Sequence, residues 1–170
     1  MSPARDTQRA KVYEADQFVR TVFERADEHG LRAIEVLGSQ VTLPIERRFA
    51  SIESVQTYAD KVLGLNWIRD RWPRATEPVR IRARAGTAAA HYEFATATLA
   101  VPLHTRNTAW ALREFVVLHE LAHHLDPDPD HPAHGPEFCS RYLELVDGVI
   151  GPEAALLLRA TLADCGARVG

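Results

Sequence analysis

The stretch from Ala109 to Leu125 contains no glycine or proline and predicts one helix, yet that helix has no wholly polar face. Phe115, Leu118, Ala122, Ala111 and Leu112 make one side apolar, and Trp110, Val117 and Leu121 do the same for the other. A helix of this kind belongs inside a core. It carries His119, Glu120 and His123 in with it, and two imidazoles and a carboxylate are costly to bury unless something satisfies them. A dication satisfies all three.

The spacing agrees. His119 and His123 are four residues apart, one helical turn, so both imidazoles point to the same side and can share a Zn²⁺ ion at about 2.0–2.1 Å. Glu120 projects about 100° around the axis from His119, which lets it line the same cleft as a base rather than a ligand. A catalytic centre needs a third protein ligand and an open fourth position. The metzincin spacing is excluded, because Pro129 and Asp126 stand where that class has its third His and a Gly. Two arrangements remain: a Glu from a following helix, Glu144 or the more distant Glu153, or His134, 11 residues past His123. A closed structural site would add a fourth ligand, with His124, His131 and Asp128 as candidates.

The rest of the chain frames that helix. At 170 residues it is expected to be one domain, with residues 1–10 as a flexible N-terminus. Helices are predicted over Val12 to His29, stopped by Gly30, and over Ile52 to Leu63, behind Ser51 as N-cap. Two more, from Pro136 to Asp147 and from Pro152 to Asp164, each open on a proline. Strand-like runs lie at Ala33 to Pro44, with a turn or bulge at Gly38-Ser39, at Val79 to Arg84, and at His91 to Val101. In the second run Val79, Ile81 and Ala83 read as the buried face and Arg80, Arg82 and Arg84 as the wet one. The expected class is α+β: a small, mainly antiparallel sheet packed on the motif helix, flanked by N- and C-terminal helices.

Composition narrows the partners. A net charge of -3 gives no long-range attraction to nucleic acid or anionic membrane. No run of 18 apolar residues and no apolar segment near Met1 resembles a span or a leader, so a cytoplasmic location is expected. Cys139 and Cys165 are 26 apart and read as buried free thiols, not a redox pair.

The paired segments His119-Glu120-Leu121-Ala122-His123-His124-Leu125 and His134-Gly135-Pro136-Glu137-Phe138-Cys139 resemble the active-site region of SprT-like metalloproteases. Still closer is the likeness to a group of small actinobacterial metallohydrolases, which share a Gly-Pro-Glu start on the last helix, here Gly151-Pro152-Glu153. The resemblance implies a zincin-like core, a Zn²⁺ cofactor and His134 as third ligand beside His119 and His123, with Glu120 as catalytic base. The DNA-binding elements and Cys-rich ribbon of the DNA-directed members are missing, so their DNA-linked role does not carry over. The expectation is therefore a zinc metallohydrolase, a peptidase acting on peptide or protein substrates along the strand from Tyr92 to Leu99. Tyr92, His91, Tyr142 or Arg141 would assist the oxyanion. An amidase acting on a small molecule, or a non-catalytic binding protein with a structural zinc, are the competing expectations.

Overall fold

The computed structural model describes residues 4–86, 89–102 and 112–170. In chain order its elements are α1 (Arg9–His29), β1 (Ala33–Val36), β2 (Ser39–Thr42), α2 (Ile52–Leu63), α3 (Asn66–Arg71) and β3 (Arg80–Arg84). There follow β4 (His91–Glu93), β5 (Thr98–Pro102), α4 (Glu114–His124), α5 (Pro136–Val149) and α6 (Pro152–Asp164). The class is α+β, and the backbone divides into two compact units.

The first unit comprises Met1–Glu46 and Asp130–Gly170. Its helices pack α1 on α6 and α6 on α5. The buried residues of α1 are Val12, Ala15, Val19, Phe23 and Ala26, the three- and four-residue steps read from the sequence, and Gly30 ends the helix at φ 64°. Three residues at the start, Arg9 to Lys11, extend it beyond the predicted boundary. The strand-like run at 33–44 is an antiparallel hairpin, β1 on β2, with Val36 opposite Ser39. Its two turn residues, Leu37 and Gly38, both have positive φ, at 51° and 78°, as a type I′ turn demands. Beyond β2, Arg32 holds the returning chain by donating to the carbonyls of Leu43 at 3.0 Å and Pro44 at 2.7 Å.

The second unit is Arg47–Pro129. Helix α2 has the predicted bounds, and its Ser51 side chain accepts from the backbone of Ser54 at 3.1 Å. Gln56 extends from it to β3, donating to the Val79 carbonyl and accepting from Ile81 N–H, both at 2.9 Å. The sheet order is β3-β5-β4, with β3 parallel to β5 and β4 antiparallel to it. It is therefore mixed, not mainly antiparallel as expected. All five residues of β5 are buried, as befits a central strand.

The run from His91 to Val101 is two strands, not one. A 3₁₀ turn at Phe94–Thr96 followed by Ala97 at φ 47° reverses the chain. Side chains hold that reversal: Arg74 lies over the Phe94 ring at 4.1 Å and the Thr96 hydroxyl donates to Glu93 at 3.1 Å. On β3, Val79 and Ile81 are buried as predicted while Ala83 is exposed. Two of the arginines are engaged across the sheet, Arg82 with Glu93 and Arg84 with His91. Helix α3 and a 3₁₀ segment, Pro73–Thr76, had no counterpart in the sequence reading.

Helix α4 begins at Glu114, later than its pattern suggests. Arg113, fully buried, is extended and forms a bridge with Arg48. Phe49 N–H donates to the Leu112 carbonyl at 2.8 Å, and Glu114 N–H donates to that of Arg47 at 3.1 Å. This pairing claims the backbone that helix propensity would have wound. Residues 109–111 of the predicted helix lie outside the described residues. Among the described residues, no helix is long and apolar enough to cross a membrane.

Leu37 is exposed and occupies a left-handed conformation that costs a branched side chain about 1 kcal/mol. Leu37→Asn is expected to stabilise the protein by about 0.5–1 kcal/mol, seen as a higher urea midpoint at unchanged m-value.

Candidate metal centre

Helix α4 is locked at its first turn by one carboxylate. Glu114 accepts from the Arg47 backbone at 2.6 Å and from the Tyr58 hydroxyl at 2.5 Å, and its charge sits at the positive end of the helix. His119 and Glu120 are each about 3% exposed, and His123 is half-buried. The His119 and His123 rings lie 5.2 Å apart at 65°, as the one-turn spacing requires.

His124, next along, has a different task. Its Nε2 is 2.9 Å from the Glu77 carbonyl, which can only accept, so Nε2 carries the proton. Nδ1 then accepts from the Tyr92 hydroxyl at 2.8 Å, and that hydroxyl accepts from Arg74 at 3.1 Å. Arg74 also donates to the His124 carbonyl at 2.7 Å. Burial holds His124 below the usual imidazole range and pushes the Tyr92 hydroxyl up. Both nitrogens of His124 are thus committed to bonds that brace the end of α4, leaving no lone pair for a metal.

His134 is built by a separate piece of chain. Gly135 N–H donates to the Pro132 carbonyl at 3.0 Å, closing a turn, and Pro136 opens α5. A Cβ at Gly135 would stand 3.1 Å from Pro132 Cβ, so the turn has room only for glycine without adjustment. Phe138 packs edge-on to the His134 ring with centroids 5.0 Å apart, and Tyr13 lies at 5.3 Å. The buried Gln8 side chain donates to the His134 carbonyl at 3.0 Å. Asp6 Oδ2 lies 2.7 Å from His134 Nδ1. Each residue of the His-Gly-Pro-Glu-Phe segment that the sequence singled out, apart from exposed Glu137, therefore has a definable role in presenting this imidazole.

The structure brings the three predicted ligands together: one ligand atom from each of His119, His123 and His134 lies within 4.8 Å of the other two. These three side chains can hold a metal ion, and three neutral imidazoles suit a first-row dication. Among the described residues this is the only such group of three or more, and Glu144, Glu153, His131 and Asp128 do not join it. Asp128 instead donates its backbone N–H to the Asp126 carboxylate at 3.0 Å.

The proposed oxyanion donors are mostly committed elsewhere. Tyr92 donates to His124. The Tyr142 hydroxyl, wholly buried, donates to Asp16 at 2.9 Å. His91 lies between Arg84 and Glu93, and with Arg82 it holds the Glu93 carboxyl down to about 2. Arg141 is buried on α5. Cys139 is a buried free thiol pushed up to about 12 by burial, hence inert, whereas Cys165 is free but only half-buried.

Asp6 and Gln8 were missed from sequence, 128 and 126 residues from the histidine they contact. No family model matches the chain, nor does any curated protein or solved structure.

Tyr92→Phe would strip the buried Nδ1 of His124 of its donor while leaving the three-histidine group intact. The expected cost is about 1–3 kcal/mol in urea unfolding of the metal-free protein, with bound metal unchanged in stoichiometry.

Proposed function

We propose that this chain is a zinc-dependent metallohydrolase whose substrates are peptides. The observation that carries the reading is the convergence of His119, His123 and His134, with the buried carboxylate of Glu120 following the first of them on α4. Three imidazoles would hold a zinc ion and leave room for water or substrate, the ligand set of catalytic rather than closed zinc sites. The same count argues against a purely structural zinc, since none of the candidate fourth ligands belongs to the group. The likeness of both motif segments to SprT-like metalloproteases supports zinc over other metals and a zincin-like role for α4.

When bound, the ion supplies the positive charge that polarises a carbonyl and makes a water acidic enough to be deprotonated near neutral pH. The protein does the rest. His119 and His123 are held one turn apart by a helix that is anchored at one end by Glu114 and braced at the other by His124. Glu120 accepts the proton of the attacking water and returns it to the leaving amine. The outer strand β4, which packs on α4, offers an edge where an extended peptide can add as a further strand. This favours peptides over small amides.

Purified protein is expected to contain about one zinc per chain. His134→Ala should lose most of it, whereas Glu120→Gln should keep the zinc and lower kcat/KM on a cleaved library peptide by about 10²–10⁴. Full zinc in His134→Ala, or undiminished turnover in Glu120→Gln, would overturn the assignment.

A further inference from the structure

We infer that Asp6, from the segment that precedes α1, is a positioning residue that sets the tautomer and aim of His134 for the metal. This deepens the proposed function and rests on it. An imidazole can bind an ion through either nitrogen, and a ring free to rotate or to exchange its proton spends part of its time in a form that cannot ligate. His134 has no such freedom. Its Nδ1 faces the Asp6 carboxylate at 2.7 Å, and an ionised carboxylate only accepts, so Nδ1 holds the proton and the lone pair is left on Nε2.

The surroundings are arranged to keep that contact. His134 is buried, its ring lies between Tyr13 and Phe138, and its carbonyl is tied to Gln8, two residues after Asp6. Gln8 in turn accepts from Arg168 N–H at 2.7 Å and donates to the Arg168 carbonyl at 3.2 Å, while Ala4 N–H donates to the Asp130 carbonyl. The peptide stretch bearing Asp6 is therefore fastened on both sides of the carboxylate.

The second oxygen of the carboxylate adds an independent sign. Asp6 Oδ1 is buried with no hydrogen-bond partner among the described residues, a costly state for an anion that a nearby positive charge would ease. A dication held by His134 would ease it through the ring, since an imidazole that gives its Nε2 lone pair to a cation becomes a stronger donor at Nδ1 to the same carboxylate.

The experiment has two readouts. In metal-free protein, at a pH above the imidazole range, long-range ¹H–¹⁵N correlation spectra report which nitrogen of His134 is protonated. Zinc affinity is measured separately by chelator competition. Wild type is expected to show the Nδ1–H form; Asp6→Ala should shift His134 toward Nε2–H and weaken zinc binding about 10–100-fold. Asp6→Asn, whose amide oxygen still accepts from Nδ1–H, should keep the wild-type tautomer and lose affinity by less than about tenfold. Wild-type protein that binds zinc, with an Asp6→Ala variant of unchanged tautomer and affinity, would overturn this inference alone. Wild-type protein that binds no zinc would overturn the metalloenzyme reading and this inference with it.

Discussion

Imidazole has two nitrogens and, when neutral, one proton, so whatever claims the proton decides what the ring can do. Two histidines of this chain show the rule in opposite senses. In His124 the proton is given to a backbone carbonyl through Nε2 and the remaining lone pair is taken by a tyrosine hydroxyl; the ring is a strut. In His134 the proton faces a carboxylate through Nδ1, and the ring lies in a cluster with two other imidazoles. The difference between a strut and a ring placed in a cluster that can hold a metal is one acceptor's position. Residue type and adjacency to the motif say nothing about it.

The same economy governs α4. A helix that is apolar on both sides cannot satisfy charged groups by facing them to water, so each polar side chain along it needs an assigned partner. Glu114 has the Arg47 amide and the Tyr58 hydroxyl, and His124 has Glu77 and Tyr92. Stability and site geometry are therefore not separable here. The bonds that make burial of the helix tolerable are those that fix where its first and last turns lie, and the histidines sit between them.

Local chemistry made much of this legible. Prolines at the starts of α5 and α6, the Ser51 cap, the Gly30 stop and the 3.6-residue apolar rhythm place four helices within a few residues of where they are. The clustering of the three histidines was readable because two share a helical turn and the third lies in a motif with its own glycine and proline. What escaped was set by contacts distant in sequence. The start of α4 is moved by a bridge to Arg48, and the break before β5 falls at Ala97, a residue with no turn signature. Parallel pairing of β3 with β5 has no local signal at all. Asp6 looks like any charged residue near a chain's beginning until the fold returns residue 134 to it.

The Gln8 side chain joins the loop of His134 to the backbone of Arg168, and Gly170 N–H reaches the Pro136 carbonyl. A link spanning 160 residues is among the last that a chain can close, because its loop entropy must be paid before it gives anything back. During synthesis, then, α4 emerges and can wind long before His134 acquires its support. On the proposed hydrolase reading, a nascent molecule would carry the groups of the site without their alignment until residue 168 had left the ribosome.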